Sequence, residues 1–275
     1  MSSPTAMRVM KVPTYLLARC CEAAAYGFSR ASALCYGLLP SLLSPDQLST
    51  RVVRAYDPTY ARDLQTNTDD IDDGTLDSWE LNVLNRYKID TGRMLVIGAG
   101  LGREALAIAR RGVTVMGMDI NLDAMQIAQR RANAAGVPAW FQQASLFELP
   151  YKPHSFDYAI FASGMYSAIP GKATRQAWLR ALRHPLKVHA HTFLSFSQEH
   201  PPLTVGKTVR FQLNAILKNL PGANHDCQPG DTCLSGHFMH VFQTEDELRT
   251  ELTEAGAAIH KLNWAAGYAI LTFPA

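Results

Sequence analysis

Short apolar runs alternate with amphipathic stretches in the middle of the chain. Residues 94–97 form an apolar run rich in branched side chains, which is typical of a strand buried on both faces of a parallel sheet. Residues 103–111 carry apolar side chains at helical spacing, namely Ala105, Leu106, Ile108 and Ala109. Residues 113–118 again have a strand pattern, and Asp119 follows at its end. The pattern predicts a strand, helix, strand unit with parallel strands.

The same alternation continues toward the C-terminus. The predicted elements are a helix at residues 174–184, a strand at 189–196, a capped helix at 244–255 and two strands at 257–263 and 267–273. Helices that alternate with strands in this way are typical of an α/β fold.

Three glycines, Gly98, Gly100 and Gly102, occupy alternate positions between the first strand and the helix after it. Their missing side chains allow positive φ angles and let a ligand approach the backbone closely. The N–H groups at the start of the next helix favour an anionic group. Asp119, at the end of the second strand, can accept hydrogen bonds from two ribose hydroxyls. Together these features predict a pocket for a nucleotide-type cofactor.

The spacing of the glycines separates two cofactor classes. The dinucleotide fingerprint G-x-G-x-x-G needs a small residue at position 103, where this chain has Arg103, and this counts against NAD. The spacing G-x-G-x-G, with an acidic residue about 17 positions later, resembles the class I S-adenosylmethionine-dependent methyltransferases. This resemblance covers roughly residues 79–273.

The resemblance implies a Rossmann-like, doubly wound, mainly parallel sheet of seven strands with helices on both faces. Residues 140–150 would then supply the third strand and the loop after it, and residues 156–163 the fourth strand. Residues 76–275 would form the methyltransferase domain, in which residues 197–242 are an insertion that builds the acceptor pocket.

The resemblance also implies a set of residues that bind S-adenosylmethionine. These are Gly98, Gly100 and Gly102 in the turn, Asp119 on the ribose, Ile120 on the adenine face, Ser145 and Leu146 at the adenine amino group, and Ser163 at the end of the fourth strand. The residues just after that strand, Gly164, Met165 and Tyr166, would line the reaction centre.

Two departures from the family pattern are informative. Most members have an acidic residue at the position of Val96, where it helps to hold the methionine ammonium, so another group must do this here. Ser145 stands where an aspartate usually contacts the adenine, and it adds no charge. These losses keep open a non-catalytic protein that binds S-adenosylmethionine. A nicotinamide-dependent oxidoreductase is the third hypothesis, because it would also use Asp119.

Residues 1–75 are predicted to be a helical extension and an active-site lid. Residues 16–39 are amphipathic, with one face formed by Leu16, Leu17, Cys20, Ala24, Phe28, Ala31, Cys35 and Leu38. Charged residues and short apolar runs argue against a signal peptide or a membrane span. The helix is expected to pack on the domain or on a second subunit, or to lie at a membrane interface. Pro40 and Pro45 are expected to break it, and Tyr56 and Tyr60 to fold over the cofactor.

The proposed reaction needs no protein nucleophile, but an oxygen acceptor needs a base near neutral pH. Tyr166 and His237 are the candidates for that base. In the insertion, His237, His240 and Asp231 are expected to face the substrate, with buried or exposed structural histidines as the alternative. The cluster His225, Cys227, Cys233, His237 and His240 lacks the spacing of a zinc finger, and the acidic run at residues 69–73 lacks that of a calcium loop, so no metal is predicted.

Composition limits the choice of partner. The 275-residue chain has a net charge of +2 and no basic cluster with interleaved aromatic residues, which argues against a nucleic-acid substrate. Its five scattered cysteines are not a secreted disulfide framework, and we expect a reducing cytoplasm. We therefore expect a small or lipid-like acceptor, with a protein acceptor left open, and peripheral membrane contact or self-association through the N-terminal helix.

Overall fold

The computed structural model describes residues 11–55, 76–145, 148–162, 164–199, 205–234 and 237–274. The helices are α1 (Lys11–Leu42), α2 (Pro45–Ala55), α3 (Ser78–Arg86), α4 (Arg103–Ala109), α5 (Leu122–Ala135), α6 (Lys172–Ala181), α7 (Val205–Leu217) and α8 (Glu245–Glu254), with a 3₁₀ turn at Met165–Ala168. The strands are β1 (Arg93–Ile97), β2 (Thr114–Asp119), β3 (Ala139–Gln143), β4 (Phe156–Phe161), β5 (Leu186–Ser195), β6 (Ser197–Gln198), β7 (Asp231–Leu234), β8 (His237–Phe242), β9 (Ala258–Asn263) and β10 (Tyr268–Thr272).

Seven of these strands form the main sheet in the order β3-β2-β1-β4-β5-β10-β9. The first five in that order are parallel to their neighbours, and β10 is antiparallel to β5 and β9. In register, Ile97 at the end of β1 pairs with Met118 of β2 and Phe161 of β4. The carboxyl ends of the central strands therefore meet at one edge, and the predicted Rossmann-like, mainly parallel seven-stranded fold is confirmed.

The core lies on both faces of this sheet. Alternate residues of β1 point to opposite sides, so Leu95 and Ile97 belong to one buried cluster and Met94 and Val96 to the other. Both clusters continue into helices, with Leu179 of α6 on the first side and Ile108 of α4 on the second. Burial on both faces explains why β1 is apolar throughout.

The insertion after β5 forms a second sheet of three strands in the order β6-β8-β7. Helix α1 packs against β7 and α7, and α2 packs against β8. Two buried asparagine side chains stabilise the contact with α1. Asn224 Nδ2 donates a hydrogen bond to the carbonyl of Pro40 at 2.8 Å, and Asn214 Nδ2 donates one to the carbonyl of Gly37 at 3.1 Å. The N-terminal helices and the insertion therefore form one cap on the main domain.

The structure corrects two expectations for the N-terminal helix. Helix α1 continues through Pro40 to Leu42, where the insertion supports its last turn. Its predicted apolar face is not uniformly packed, since Phe28 is 76 % exposed and Ala31 and Cys35 are exposed, whereas Gly37 and Ser41 are buried. Among the described helices, none combines the length and apolar character that crossing a membrane requires. The lid residues Tyr56 and Tyr60 and the acidic run at 69–73 lie outside the described residues.

Candidate active site

The glycine turn lies at the carboxyl end of β1. Gly98, Gly100 and Gly102 all have positive φ angles, of 73°, 49° and 89°. The amides of Gly98 and Ala99 both donate to the carbonyl of Met118, at 2.9 Å each, and this fixes the turn against the end of β2. A Cβ atom at Gly98 would overlap the side chain of Met165 and would lie 2.8 Å from its sulfur. The first glycine is therefore required by the φ angle and by the space.

Asp119 lies at the end of β2 and is bound by the same turn. Its Oδ2 accepts a hydrogen bond from the Gly100 amide at 3.0 Å, and its Oδ1 accepts one from the Asn121 amide at 3.0 Å. Burial raises the pKa of Asp119, and the backbone hydrogen bonds act in the opposite direction. Each carboxylate oxygen has a further lone pair, so the group can still accept hydrogen bonds from a ribose.

A cleft of about 490 Å³ opens beside Asp119, between the ends of β2 and β3. Ile120 and Ser145, both predicted at the adenine, lie in its wall together with Gln143 and Glu148. Gln143 Nε2 donates to the Ile120 carbonyl at 3.0 Å, which closes one side of the cleft. Two other predicted contacts, Leu146 and Ser163, lie outside the described residues.

Sequence reasoning missed Glu148. Its amide donates to the carbonyl of Ser145 at 3.1 Å, and its side chain is exposed in the same cleft. A carboxylate three residues after Ser145 thus supplies the acidic group that the serine itself lacks. The signal was present in the sequence as the only acid between residues 140 and 150.

The loop after β4 is tied to the neighbouring strands. The Gly164 amide donates to Ser195 Oγ at 2.6 Å, and the Ser197 amide donates to Ser167 Oγ at 2.9 Å. Met165, on the same loop, covers Gly98. The structure therefore brings Gly164 and Met165 to the glycine turn, as expected for residues that line a reaction centre.

Tyr166 has a different position from the one predicted, and its expected role as a base is corrected. Its side chain is fully buried, its hydroxyl donates to Glu251 at 2.6 Å, and its ring stacks on Phe242. Arg175 makes a two-pronged ion pair with the same carboxylate, through Nε at 2.7 Å and Nη2 at 2.8 Å. Burial, with the adjacent Glu251 carboxylate, raises the pKa of Tyr166 well above its ordinary value. A hydroxyl held in this network cannot reach an acceptor in the cleft.

His240 and Asp231 are also buried, and the expectation that they face a substrate is wrong. His240 Nδ1 lies 2.7 Å from Asp231 Oδ1, and its Nε2 lies 3.3 Å from Glu247 Oε1. Burial lowers the pKa of His240, but the hydrogen bond to Asp231 and the nearby Glu247 carboxylate outweigh this effect, so the pKa is raised. The three side chains join β7, β8 and α8, which matches the alternative that His240 is a buried structural histidine.

His237 lies on the opposite face of β8 from His240. Along this strand Phe238, His240 and Phe242 are buried, whereas His237, Met239 and Val241 are partly exposed. Ser197 Oγ donates to the Met239 sulfur at 3.2 Å, and it would lie 4.0 Å from a Cβ atom at Gly164. Met239 is therefore the residue of this face that contacts Ser197, and the register pairs Ser197 with Val241, four residues from His237.

Buried carboxylates adjoin the glycine turn on the side away from the cleft. Arg103 begins α4, and its guanidinium lies 3.4 Å from Glu80 Oε2 and 2.6 Å from Glu104 Oε1. Burial, with the nearby Glu104 carboxylate, raises the pKa of Glu80 to about 7. Asp77 is a third carboxylate 3.5 Å from the same guanidinium. The turn therefore has an excess of acidic groups beside it, although position 96 holds valine.

The structure gives no support for a metal in the cap. Within the described ranges, no three histidine, cysteine, aspartate or glutamate side chains form a group that could hold a metal ion. Burial raises the pKa of Cys227 to about 12 and that of Cys233 to about 11, which disfavours the thiolate forms that bind zinc.

The comparisons with known proteins agree with the fold described above. A family described as "Methyltransferase domain" matches residues 94–188. An uncharacterized protein of Mycobacterium tuberculosis (strain ATCC 25618 / H37Rv) is 32 % identical over 91 residues, which are 33 % of each chain. A ubiquinone biosynthesis O-methyltransferase of Serratia proteamaculans (strain 568) is 28 % identical over 140 residues, which are 48 % of this chain and 53 % of that one. The chain thus spans between a third and about half of these relatives.

Among solved structures, the fold is similar to that of an S-adenosylmethionine-dependent methyltransferase from Methanosarcina mazei. The TM-score is 0.56 at 22 % identity, and the match covers 70 % of this chain and 97 % of that one.

Proposed function

We propose that this protein transfers a methyl group from S-adenosylmethionine to a small or lipid-like acceptor. The match of residues 94–188 to a methyltransferase-domain family and the similarity of the fold to that of an S-adenosylmethionine-dependent methyltransferase support the cofactor and the reaction class. The acceptor class is our inference from the net charge of only +2 and from the lack of a basic cluster with interleaved aromatic residues in the sequence.

The observation that carries this proposal is the geometry of Asp119. The carboxylate is positioned by two backbone amides, one of them from the glycine turn, and the next residue, Ile120, lines a cleft together with Ser145. This arrangement fits a nucleoside, because the carboxylate can take the ribose hydroxyls while the apolar Ile120 contacts the base. Gln143 and Glu148 are then available to the polar edge of the adenine.

S-adenosylmethionine would supply a methyl group that is bound to a positively charged sulfur. An acceptor atom can attack the methyl carbon in line with the C–S bond and displace the sulfur. The work of the protein is therefore alignment and exclusion of water. Gly100 leaves open space beside the turn, whereas the apolar side chain of Met165 fills the space beside Gly98. The hydrogen bond from Gly164 to Ser195 fixes the loop that would face the acceptor. The excess of carboxylates around Arg103 favours the ammonium group of the cofactor's amino-acid end.

The similarity to an O-methyltransferase makes a hydroxyl oxygen the first acceptor atom to test. In such a reaction a C–O bond forms, the C–S bond breaks with its electron pair going to sulfur, and the acceptor loses a proton. His237 is our candidate for the group that takes this proton, since it lies on the face of β8 that also bears Met239, which contacts Ser197.

Calorimetric titration tests the cofactor site. We expect S-adenosylmethionine and S-adenosylhomocysteine to bind, NADH not to bind, and Asp119→Ala to weaken binding tenfold or more, which is about 1.4 kcal/mol. Asp123→Ala, which removes an exposed carboxylate from the first turn of α5, is the matched control and should bind like the wild type. Binding of NADH alone, or equal binding by both variants, would contradict the proposed site.

Methyl transfer tests the acceptor. The purified protein is incubated with methyl-labelled S-adenosylmethionine and a series of phenols with increasing alkyl chain length. We expect labelled product to increase with chain length. His237→Gln should lower the rate of labelling, whereas His225→Gln, at an exposed loop position, should not. Tight cofactor binding with no labelled product from any acceptor would instead favour the non-catalytic binding protein, which Val96 and Ser145 keep open.

A further inference from the structure

A groove of about 680 Å³ runs between α1 and α7, on the cap. Ala33 and Leu34 of α1 and Val209 of α7 contribute apolar surface to it. Arg30, Lys207 and Arg210 line the same groove, so its charged lining residues are all basic. The groove is separate from the cleft beside Asp119, which is lined by different residues.

The apolar surface extends beyond the groove along α7. Val209 is 42 % exposed and Ile216, two turns later on the same helical face, is 65 % exposed. Leu220, one turn further, is also largely exposed. Contiguous exposed apolar side chains of this kind mark a surface that binds a partner.

The charges define which partner fits. Lys207 is 2.5 Å from Glu199, and Arg30 and Arg210 bring the number of cationic side chains that line the groove to three. Arg210 is positioned by a hydrogen bond to Thr232 Oγ1 at 2.9 Å and by packing against Gly37. Apolar side chains flanked by arginine and lysine match a hydrocarbon layer with negatively charged head groups.

We propose that the groove between α1 and α7, with the apolar stripe from Val209 to Leu220, docks this protein on the surface of a membrane that contains anionic phospholipids. The cations bind the phosphate groups, and the apolar residues enter the boundary between head groups and acyl chains.

Sedimentation with vesicles tests this proposal. The full chain is mixed with vesicles of phosphatidylcholine alone or of phosphatidylcholine with phosphatidylglycerol, at low and high salt. We expect binding to the mixed vesicles only, and weaker binding at high salt. Val209→Ser and Arg30→Gln should each lower the partition constant about fivefold.

Matched substitutions elsewhere serve as controls. Val188→Ser changes a similarly exposed valine on β5, and Arg180→Gln an exposed arginine on α6; both should leave vesicle binding unchanged. Equal binding to neutral vesicles, no binding, or no effect of the groove variants would overturn the proposal. So would a dimer in vesicle-free ultracentrifugation that Val209→Ser dissociates, because the groove would then bind a second copy. No cofactor is present, so this result is independent of the cofactor titration.

Discussion

The Asp119 carboxylate accepts a hydrogen bond from the Gly100 amide at 3.0 Å, which joins the end of β2 to the turn after β1. Two features that are 19 residues apart in the sequence therefore form one unit. The carboxylate holds the glycine turn in place. The turn also fixes the direction in which the remaining lone pairs of the carboxylate point. Binding and local stability are coupled at this residue.

Replacing Asp119 should therefore cost stability as well as affinity. Asp119→Ala leaves the amides of Gly100 and Asn121 without their acceptor, and we expect the free energy of unfolding to fall by about 1 to 2 kcal/mol. Urea unfolding without cofactor measures this loss. Asp123→Ala, four residues away, should change the free energy of unfolding by less than about 0.5 kcal/mol. A cofactor-free Asp119→Ala protein as stable as the wild type would show that the turn does not depend on the carboxylate.

The glycines of the turn should respond differently to the same substitution. Gly98→Ala introduces a Cβ atom that overlaps Met165, whereas a Cβ atom at Gly100 would meet no other atom within 4 Å. Both have positive φ angles, which cost about 1 to 2 kcal/mol for alanine. We expect Gly98→Ala to unfold at lower urea concentration than Gly100→Ala. Adding Met165→Ala to the Gly98→Ala protein should recover part of its lost stability. Adding Met165→Ala to the Gly100→Ala protein should recover none.

Tyr166 and Arg175 share Glu251, but their removal should have unequal effects. Tyr166→Phe deletes one hydrogen bond and leaves the ion pair intact, so we expect a loss of about 1 kcal/mol and unchanged cofactor affinity. Arg175→Met leaves a buried carboxylate without its cation and should cost about 3 to 5 kcal/mol. Unfolding curves and calorimetric titration distinguish the two. A Tyr166→Phe protein of normal stability that binds cofactor but has lost all methyl transfer would restore Tyr166 as a catalytic group.

The raised pKa of Glu80 predicts how stability depends on pH. The pKa is about 7 in the folded protein against an ordinary value of 4.5, so the folded state holds a proton that the unfolded state releases in this interval. The stabilisation is complete below pH 4.5 and is lost as the pH rises to about 7. Relative to Glu80→Gln, which does not titrate, the wild type should lose up to about 3 kcal/mol of unfolding free energy over this interval.

Urea unfolding at several pH values from 5 to 8 measures this difference. Glu148→Gln removes an exposed carboxylate from the cleft and should follow the wild-type pH dependence. A constant difference between Glu80→Gln and wild type at all pH values would mean that Glu80 is ionised throughout.

Patterns within a few residues predicted the elements of the domain. The apolar run before Gly98, the alternate glycines and the acid at Asp119 specify a strand, a turn and a second strand, because period and backbone freedom are local properties. Neighbouring parallel strands must then end at one edge, and this placed Ile120 and Ser145 in a common cleft. The helix and the strands after residue 244 were found for the same reason, within one or two residues of their observed ends.

The sequence by itself thus determined the α/β fold, the glycine turn and the position of the acid that faces the cleft. Only the tertiary structure decided which polar side chains are buried with partners. Tyr166 binds Glu251 across 85 residues, and Asn224 binds the Pro40 carbonyl across 184. No local period records such pairs, because they form only when elements that are distant in the chain pack together. The role of a polar residue depends on those distant contacts, whereas the shape of a strand or a turn depends on its neighbours in the chain.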